Sequence, residues 1–363
     1  MEERMTYETL KKYGLSPRFE EEASLYEDLF LARITEQHRD LYKAVCEKGE
    51  ILGEVSGKFA HQATVSADFP APGDWVMVDK MEGTAGHARI HHVLRRKSVF
   101  ERQAAGTAHA TQVVAANIDV VFLCMALSAD FNLRRLERYL SIAWGSRATP
   151  VIVLTKADLC ADLPSRLADI ATVGVGTEVL VCSSVQEGGY EVVRSRIKVG
   201  ETVAFIGSSG VGKSTLINRM LGEDVLATRE IREDDGRGRH TTTHRQLLLL
   251  PHGGLVIDTP GMRELHLDSG DLSKSFEDID SLAARCRYRD CSHQTEPGCA
   301  VREAITSGTL SEKRFENYRK LQKEIGYAAL NSRQLEHEKI KNMFGGLGEM
   351  KQALRYAKGK NGR

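Results

Sequence analysis

The chain has 363 residues, which at ~150 residues per domain suggests about two or three domains. Hydrophobic residues make up 41% of it and charged residues 28%, which excludes wholesale disorder, collagen-like repeats and disulfide miniproteins. Lys plus Arg equals Asp plus Glu at 50 each, so the chain is not a uniformly basic nucleic-acid coat. Apolar runs fall far short of the ~20 residues that span a bilayer, and Met1–Leu10 lacks the apolar core of a secretory signal, so we expect a cytoplasmic protein without membrane contact.

The N-terminal third shows two different patterns. Residues 1–35 are polar and acidic with helical spacing, which predicts a short helical extension. Residues 36–105 contain short β-rich segments separated by Gly and Pro turns, such as Pro72-Gly-Asp-Trp-Val. Several short strands at ~10-residue spacing predict a small antiparallel barrel.

Residues 106–270 alternate between strand and helix patterns. Apolar strands are predicted within Val113–Leu127 and at Val151–Leu154 and Thr202–Ile206, and Asn132 is a candidate cap for a helix that extends through Ala143. This alternation is typical of an α/β fold with a parallel sheet and helices on both faces. Strand patterns stop in residues 271–363, where Ser311–Lys341 predicts one or two long helices.

The strongest motif is Gly207-Ser-Ser-Gly-Val-Gly-Lys-Ser214, which matches G-x-x-x-x-G-K-[ST] between a predicted strand and a predicted helix. Its glycines let backbone N–H groups face phosphate oxygens, and the helix N-terminus favours the same anion. Lys213 is expected to reach the β- and γ-phosphates, and Ser214 to bind Mg²⁺.

Asp258-Thr-Pro-Gly261 follows the apolar strand Leu255–Ile257. A carboxylate there can hold Mg²⁺ through water, and the Gly261 amide can sense the γ-phosphate. D-x-x-G alone is also an ordinary turn, and its place at the end of a later sheet strand favours the nucleotide interpretation.

Thr155-Lys-Ala-Asp158 resembles the [N/T]-K-x-D element that recognises guanine. The Asp158 carboxylate would accept hydrogen bonds from guanine N1–H and N2–H₂, a donor pair that adenine lacks, and the stem of Lys156 would lie over the base. Thr155 occupies the first position of this element, where Asn is the more common residue, and its side chain is shorter than that of Asn. Ser183 and Ser184 after the next strand fit the companion element, whose backbone N–H meets guanine O6.

The order of these motifs predicts a circularly permuted GTPase domain. The base-recognising elements come before the phosphate loop, whereas in ordinary small GTPases they come last. Permutation is tolerable because the termini of a domain lie at its surface and close together. The predicted nucleotide-binding residues are Thr155, Lys156, Asp158, Ser183, Ser184, Gly207, Ser208, Ser209, Gly210, Val211, Gly212, Lys213, Ser214, Thr215 and Gly261.

The Gly- and Thr-rich segment 234–245 is predicted to be a mobile loop, with a solvated surface connection as the alternative. Thr242 would close over Mg²⁺, which Ser214 and Asp258 also bind. Met262 occupies the position where many GTPases place a water-orienting Gln, and a thioether cannot orient water strongly. His240 is therefore the candidate catalytic residue, although a lone loop His is more often solvent-facing.

Cys286, Cys291, His293 and Cys299 supply three thiolates and one imidazole within fourteen residues. A Cys₃His set is a standard tetrahedral structural zinc site, and a disulfide is the less expected alternative in a reducing compartment. The remaining cysteines, Cys46, Cys124, Cys160 and Cys182, are expected to be buried apolar side chains. Basic and aromatic residues between the candidate ligands suit RNA contact.

Taken together, the permuted motif order, the preceding barrel and the Cys₃His cluster resemble the ribosome small-subunit-dependent GTPase A family (RsgA, also called YjeQ). The resemblance covers roughly residues 40–320. It implies an OB-fold barrel, a permuted GTPase domain and a zinc-binding C-terminal domain. It also implies hydrolysis of GTP to GDP stimulated by the small ribosomal subunit, rRNA binding, a role in late maturation of that subunit, and assistance of hydrolysis by His240. We expect a monomer.

Two other classes of function stay open at this point. One is an RNA-binding scaffold whose nucleotide is only a structural ligand, which the intact Lys213, Ser214 and Asp258 disfavour. The other is an ATP-dependent P-loop enzyme or kinase, which Asp158 disfavours. From Glu312 to the C-terminus there are 13 Lys and Arg against 6 Asp and Glu, a charge that favours RNA phosphates, although a basic helix face is often simply solvated.

Overall fold

The structure is a computed structural model that describes residues 6–38, 41–82, 86–103, 111–128, 130–226, 245–258 and 270–328. Within these ranges no helix has both the length and the apolar character needed to cross a membrane.

A closed barrel forms the N-terminal part. Its strands run in the order β1-β2-β3-β5-β4, and β1 also pairs with β4. Two short helices precede it and a third lies between β3 and β4. The elements are α1 (Glu8–Lys12), α2 (Pro17–Ala23), β1 (Phe30–His38), β2 (Leu41–Cys46), β3 (Gly49–Val55), α3 (Gly57–Gln62), β4 (Trp75–Val78) and β5 (Ala88–Val93).

The barrel confirms the predicted all-β fold but differs from the expectation in two respects. First, residues 30–35 form strand β1 instead of helix. Strand β1 packs Ala32 and Ile34 against the barrel interior and Leu31 against the cluster that contains α1 and α2. The polar side chains of Arg33 and Thr35 are buried too, so neither side of this part of the strand faces solvent. Second, β3 and β5 pair in parallel, while the other barrel pairs are antiparallel.

Through an antiparallel pair of β1 with β12, in which Glu36 lies opposite Gln246, the barrel is continuous with an α/β sheet of strand order β10-β9-β8-β11-β13-β12. All neighbouring pairs in it are parallel except β12–β13, which confirms the predicted α/β fold. Strands β6 and β7 form a separate two-stranded ribbon, so 99–103 lies outside the barrel. The elements are β6 (Val99–Gln103), β7 (Thr111–Ala116), β8 (Val120–Ala126), α4 (Leu133–Ser146), β9 (Thr149–Thr155), α5 (Leu163–Ala171), β10 (Glu178–Val181), α6 (Glu191–Arg196), β11 (Thr202–Ile206), α7 (Lys213–Leu221), β12 (Gln246–Leu249) and β13 (Leu255–Asp258).

Helices cover both faces of this sheet. Helices α6 and α7 pack on one face through Val193, Leu216 and Ile217. Helices α4 and α5 pack on the other through Leu136 and Ile170. Each face is therefore dry, which explains why β8, β9 and β11 are apolar almost throughout.

The C-terminal part is helical and continues the core of the α4 face. Phe276, Ile279 and Phe315 belong to the same buried cluster as α4. Its helices are α8 (Leu272–Ser275), α9 (Glu277–Ala283), α10 (Ala300–Thr306) and α11 (Glu312–Ala328). The helix predicted from Ser311 is confirmed as far as Ala328, and its remainder lies outside the described residues.

Candidate functional site

The predicted nucleotide motifs meet at the carboxyl edge of the α/β sheet. Strand registers place Ala126 beside Thr155, and Ile206 beside Leu123. The register of β11 and β13 pairs Ala204 with Ile257, so Asp258 ends its strand next to the start of the phosphate loop. Crevices at this edge, where the strand order reverses, are the usual ligand sites of open α/β sheets.

The phosphate loop begins at a glycine that no other residue can replace without moving the backbone. A Cβ on Gly207 would lie 2.5 Å from the carbonyl oxygen of Cys124 in β8. At the other end, helix α7 begins at Lys213. The ammonium of Lys213 donates to the carbonyl oxygens of Gly207 and Ser208, both at 2.7 Å, so it lies across the mouth of its own loop.

Thr155 joins the base-recognising segment to the phosphate loop. Its buried hydroxyl donates to the carbonyl oxygen of Val211 at 2.6 Å and lies 3.5 Å from that of Met125. The threonine side chain is therefore long enough to contact these two carbonyl oxygens.

Asp158 is exposed and Ser183 positions it. The Ser183 hydroxyl donates to a carboxylate oxygen of Asp158 at 2.5 Å, and the Ser183 N–H donates to the carbonyl oxygen of Gly189 at 3.0 Å. Lys156, two residues before Asp158, adopts a left-handed backbone conformation with a φ of 57°. Because the Ser183 N–H has a partner inside the loop, the Ser184 N–H is the better candidate to face a base.

His240, Thr242, Gly261 and Met262 lie outside the described residues. Their predicted roles stay predictions.

Two residues outside the sequence motifs also reach the phosphate loop. Asp130 precedes α4, and Arg135 lies in its first turn. Both contact the Ser208 hydroxyl, which donates to Asp130 and accepts from Arg135 at 2.9 Å. The signal available in the sequence was their position in the segment directly after strand β8, at the edge where ligands bind.

The four candidate zinc ligands come together between α9 and α10. The ligand atoms of Cys286, Cys291, His293 and Cys299 all lie within 4.8 Å of one another. Cys286 Sγ is 3.5 Å from His293 Nδ1 and 3.9 Å from Cys299 Sγ, and the latter two atoms are 3.4 Å apart. A tetrahedron with bonds of about 2.3 Å to sulfur and about 2.0 Å to nitrogen separates its ligand atoms by about 3.5–3.8 Å, so the arrangement fits zinc.

The surroundings of this cluster differ on its two sides. On the inner side the His293 ring lies edge-on to Phe315 of the core, with 6.0 Å between ring centres. On the outer side Arg285, Arg287 and Arg289 are exposed, and Tyr288 is 42% exposed. Of the other cysteines, Cys46, Cys124 and Cys182 are buried as predicted, whereas Cys160 is only half-buried because it lies in the exposed turn after Asp158.

Comparison with known proteins agrees with this geometry. Residues 93–268 match the family model described as RsgA GTPase. An ABC transporter model also matches residues 190–347, a range that contains the phosphate loop common to P-loop ATPases and GTPases. "Small ribosomal subunit biogenesis GTPase RsgA 2" of Lactiplantibacillus plantarum is 51% identical over 342 residues, covering 94% of this chain and 96% of the relative. The RsgA of Opitutus terrae is 44% identical and covers 84% and 85% of the two chains.

Solved structures show the same fold. YjeQ from Thermotoga maritima superposes with a TM-score of 0.59 and 26% identity, over 82% of this chain and 98% of that one. YloQ, described as a circularly permuted GTPase, superposes with a TM-score of 0.57 over 83% and 96% of the two chains, and at 22% identity this likeness concerns the fold alone. With relatives up to 51% identical over nearly its whole length, the chain belongs to the RsgA family of circularly permuted GTPases.

Proposed function

We propose that this protein hydrolyses GTP to GDP and phosphate, is stimulated by the small ribosomal subunit, and acts in late maturation of that subunit. The observation that carries the proposal is the meeting of Thr155, Asp158, the phosphate loop and Asp258 at one sheet edge in permuted order. The names of its relatives, small ribosomal subunit biogenesis GTPases, support the same function.

Guanine recognition falls to the loops after β9 and β10. The Asp158 carboxylate, held by Ser183, accepts from guanine N1–H and N2–H₂, and the stem of Lys156 covers the base. The Ser184 N–H donates to O6. An adenine nucleotide would leave the Asp158 carboxylate without its donor pair, which makes an ATP-dependent enzyme the weaker alternative.

Phosphate binding falls to residues Gly207–Thr215, whose backbone N–H groups and helix terminus suit an anion. Lys213 would exchange its two carbonyl partners for phosphate oxygens. The hydroxyl of Ser214 and the carboxylate of Asp258, with Thr242, offer the hard oxygen ligands that Mg²⁺ prefers. Magnesium held by these residues would offset the negative charge that develops on the phosphates during hydrolysis.

The Gly261 amide would sense the γ-phosphate and His240 would orient the attacking water, because the Met262 thioether cannot. The cluster of Cys286, Cys291, His293 and Cys299 would hold one structural zinc ion, and its exposed arginines and tyrosine face outward for rRNA. We place the protein in the cytoplasm as a monomer that leaves the subunit after hydrolysis.

The test compares GTP hydrolysis with and without purified small ribosomal subunits. Wild type should be strongly stimulated, and His240→Ala should lower the stimulated rate by about 10²-fold with unchanged GTP affinity. His252→Ala is the control, because His252 lies in the hairpin at the amino end of β13, away from the carboxyl edge. Absence of stimulation in wild type would contradict the proposal. Full cellular function of Lys213→Ala would favour the scaffold alternative.

A further inference from the structure

Asp130, Arg135 and Ser208 form a closed triangle of side chains beside the phosphate loop. Arg135 donates through one nitrogen to the Asp130 carboxylate and to the Ser208 hydroxyl. The same hydroxyl donates to the second carboxylate oxygen of Asp130. Each of the three side chains therefore contacts the other two.

Ser208 connects this triangle to the phosphate-binding lysine. Its carbonyl oxygen accepts from the Lys213 ammonium at 2.7 Å, while its hydroxyl belongs to the triangle. A shift of the Asp130–Arg135 pair would therefore move the part of the loop that Lys213 contacts.

The charge of Asp130 matters because the adjacent loop binds an anion. Partial burial opposes ionisation, but hydrogen bonds from Ser208 and Arg135 and the charges of Arg135 and Lys156 hold the pKa of Asp130 below its usual value. The carboxylate is thus negative at neutral pH. Asp130 is 31% exposed and Arg135 34% exposed, so their charges are only partly screened by solvent.

We propose that Asp130 and Arg135 are additional determinants of nucleotide affinity: Arg135 offsets the negative charge of Asp130 beside the phosphates, and the pair fixes Ser208 in the loop. The inference rests on the proposed function insofar as the ligand is a guanine nucleotide. It concerns the phosphate groups that GDP and GTP share. Neither residue belongs to the sequence motifs that identify the site.

The test measures the Kd of a fluorescent GDP analogue for Arg135→Ala, Asp130→Asn and the double variant. Arg135→Ala leaves a carboxylate without its cation, and we expect roughly tenfold weaker binding at ~0.1 M salt and a smaller loss at ~1 M, where the Debye length is about 3 Å. Asp130→Asn keeps an oxygen acceptor for its neighbours and removes a negative charge beside the phosphates, so it should bind more tightly than wild type. The double variant should recover most of the affinity that Arg135→Ala loses.

A purely structural role predicts a different pattern. Both single variants would then weaken GDP binding, and the double variant would bind no better than Arg135→Ala. That result would overturn the proposal. Unchanged affinity in Arg135→Ala would overturn it too. If Arg135→Ala fails to fold, the Kd of Arg135→Gln and the direction in which Asp130→Asn changes the Kd still test the proposal. The control is Arg194→Ala, which removes a partly exposed arginine paired with Glu191 on α6.

This binding test and the test of subunit-stimulated hydrolysis can fail independently of each other. Failure of the charge pattern leaves subunit-stimulated hydrolysis unaffected. Absence of stimulation in a protein that binds GDP as predicted would instead refute only the ribosomal function. A wild-type protein that binds no GDP would overturn both.

Discussion

At the scale of single residues, Thr155 shows how a departure from the common motif is accommodated. The sequence predicts that threonine in place of asparagine shortens the reach of this position. In the structure the hydroxyl donates to the Val211 carbonyl at 2.6 Å, because the phosphate loop itself comes close to the end of β9. Thr155 therefore supports Asp158 indirectly, because it fixes the loop that carries Asp158 to the Gly207–Ser214 loop.

Asp158→Asn should change the base preference of the site. The amide of asparagine presents one oxygen acceptor and one N–H donor where the carboxylate presents two acceptors, so one guanine N–H group loses its partner. Because hydrogen bonds to charged groups contribute about 1.5–3 kcal/mol each, GTP affinity should fall by about 10²-fold or more. Xanthosine triphosphate, which offers an oxygen at C2, should gain affinity because the amide can donate to it. Competition binding with both nucleotides measures this, with Asp169→Asn on the exposed side of α5 as the control.

Cys291→Ser should remove the metal from the Cys₃His cluster. A thiolate contributes a charge and a zinc bond that a hydroxyl does not replace at neutral pH. We expect about one zinc per wild-type molecule by elemental analysis, a strongly reduced content in the variant, and a lower unfolding temperature for the variant or after chelation. Cys160→Ser, outside the cluster, should keep its zinc. Equal zinc content in the two variants would refute the metal site.

At the scale of secondary structure, α4 connects the nucleotide site to the C-terminal helices. Asn132 caps it, as the sequence predicts, and its side chain accepts from the Arg135 N–H at 3.1 Å. One turn later the fully buried Glu137 accepts hydrogen bonds from Arg134, Arg314 and Asn317. Thus one helix contacts the phosphate loop at its start and α11 along its side.

Arg314→Ala should destabilise the packing of α11 on α4. Burial opposes the charge of Arg314, but Asp278 and Glu137 raise its pKa, so it is a cation that neutralises a fully buried carboxylate. Removing one partner of a buried pair costs about 3–5 kcal/mol. Urea denaturation should show this loss, and Glu137→Gln in the same background should recover part of it. Lys320→Ala, on the exposed face of α11, should cost under about 0.5 kcal/mol.

At the scale of the whole molecule, Arg33 joins the N-terminal segment, the barrel and the α/β sheet. Its guanidinium donates to the carbonyl oxygens of Tyr13 and Gly73 and, at 2.9 Å, to the Thr202 hydroxyl at the start of β11. It also lies 5.2 Å from the centre of the Trp75 ring. Burial lowers the pKa of Arg33 to about 10, against the opposing effect of nearby aspartates, so it remains charged at neutral pH.

Arg33→Ala should weaken the coupling between the barrel and the α/β sheet, which the β1–β12 pair also joins. The three oxygen acceptors lose a buried donor, which we expect to cost about 3 kcal/mol. The chain has two tryptophans, Trp75 in the barrel and Trp144 in α4, so Trp144→Phe and Trp75→Phe backgrounds report the two parts separately.

In wild type both fluorescence transitions should coincide in urea. In Arg33→Ala the Trp75 transition should come at lower urea than that of Trp144. Arg89→Ala, which removes an exposed arginine paired with Glu54 on the barrel, should leave the transitions coincident. Coincident transitions in Arg33→Ala would show that the two parts remain coupled without this contact.

Features whose chemistry lies within one short segment could be predicted from the amino-acid sequence. Gly207–Ser214 and the cluster from Cys286 to Cys299 depend on residue type and spacing, and strands such as β11 depend on an apolar run between turn residues. The α/β sheet, the barrel and the helical C-terminal part follow from such patterns.

Contacts between residues that are far apart in the chain could not be predicted from the sequence and depend on the tertiary fold. Residues 30–35 form a strand where helix was predicted, because they pack between the barrel interior and the cluster that contains α1 and α2. Several hydrogen-bond partners lie 40 to 180 residues away along the chain, as for Asp130, Arg135, Glu137 and Arg33. Whether such a charged side chain is neutralised depends on the groups that pack against it. No local pattern records such a neighbour, because the free energy of a buried charge is set by the folded surroundings and not by the adjacent sequence.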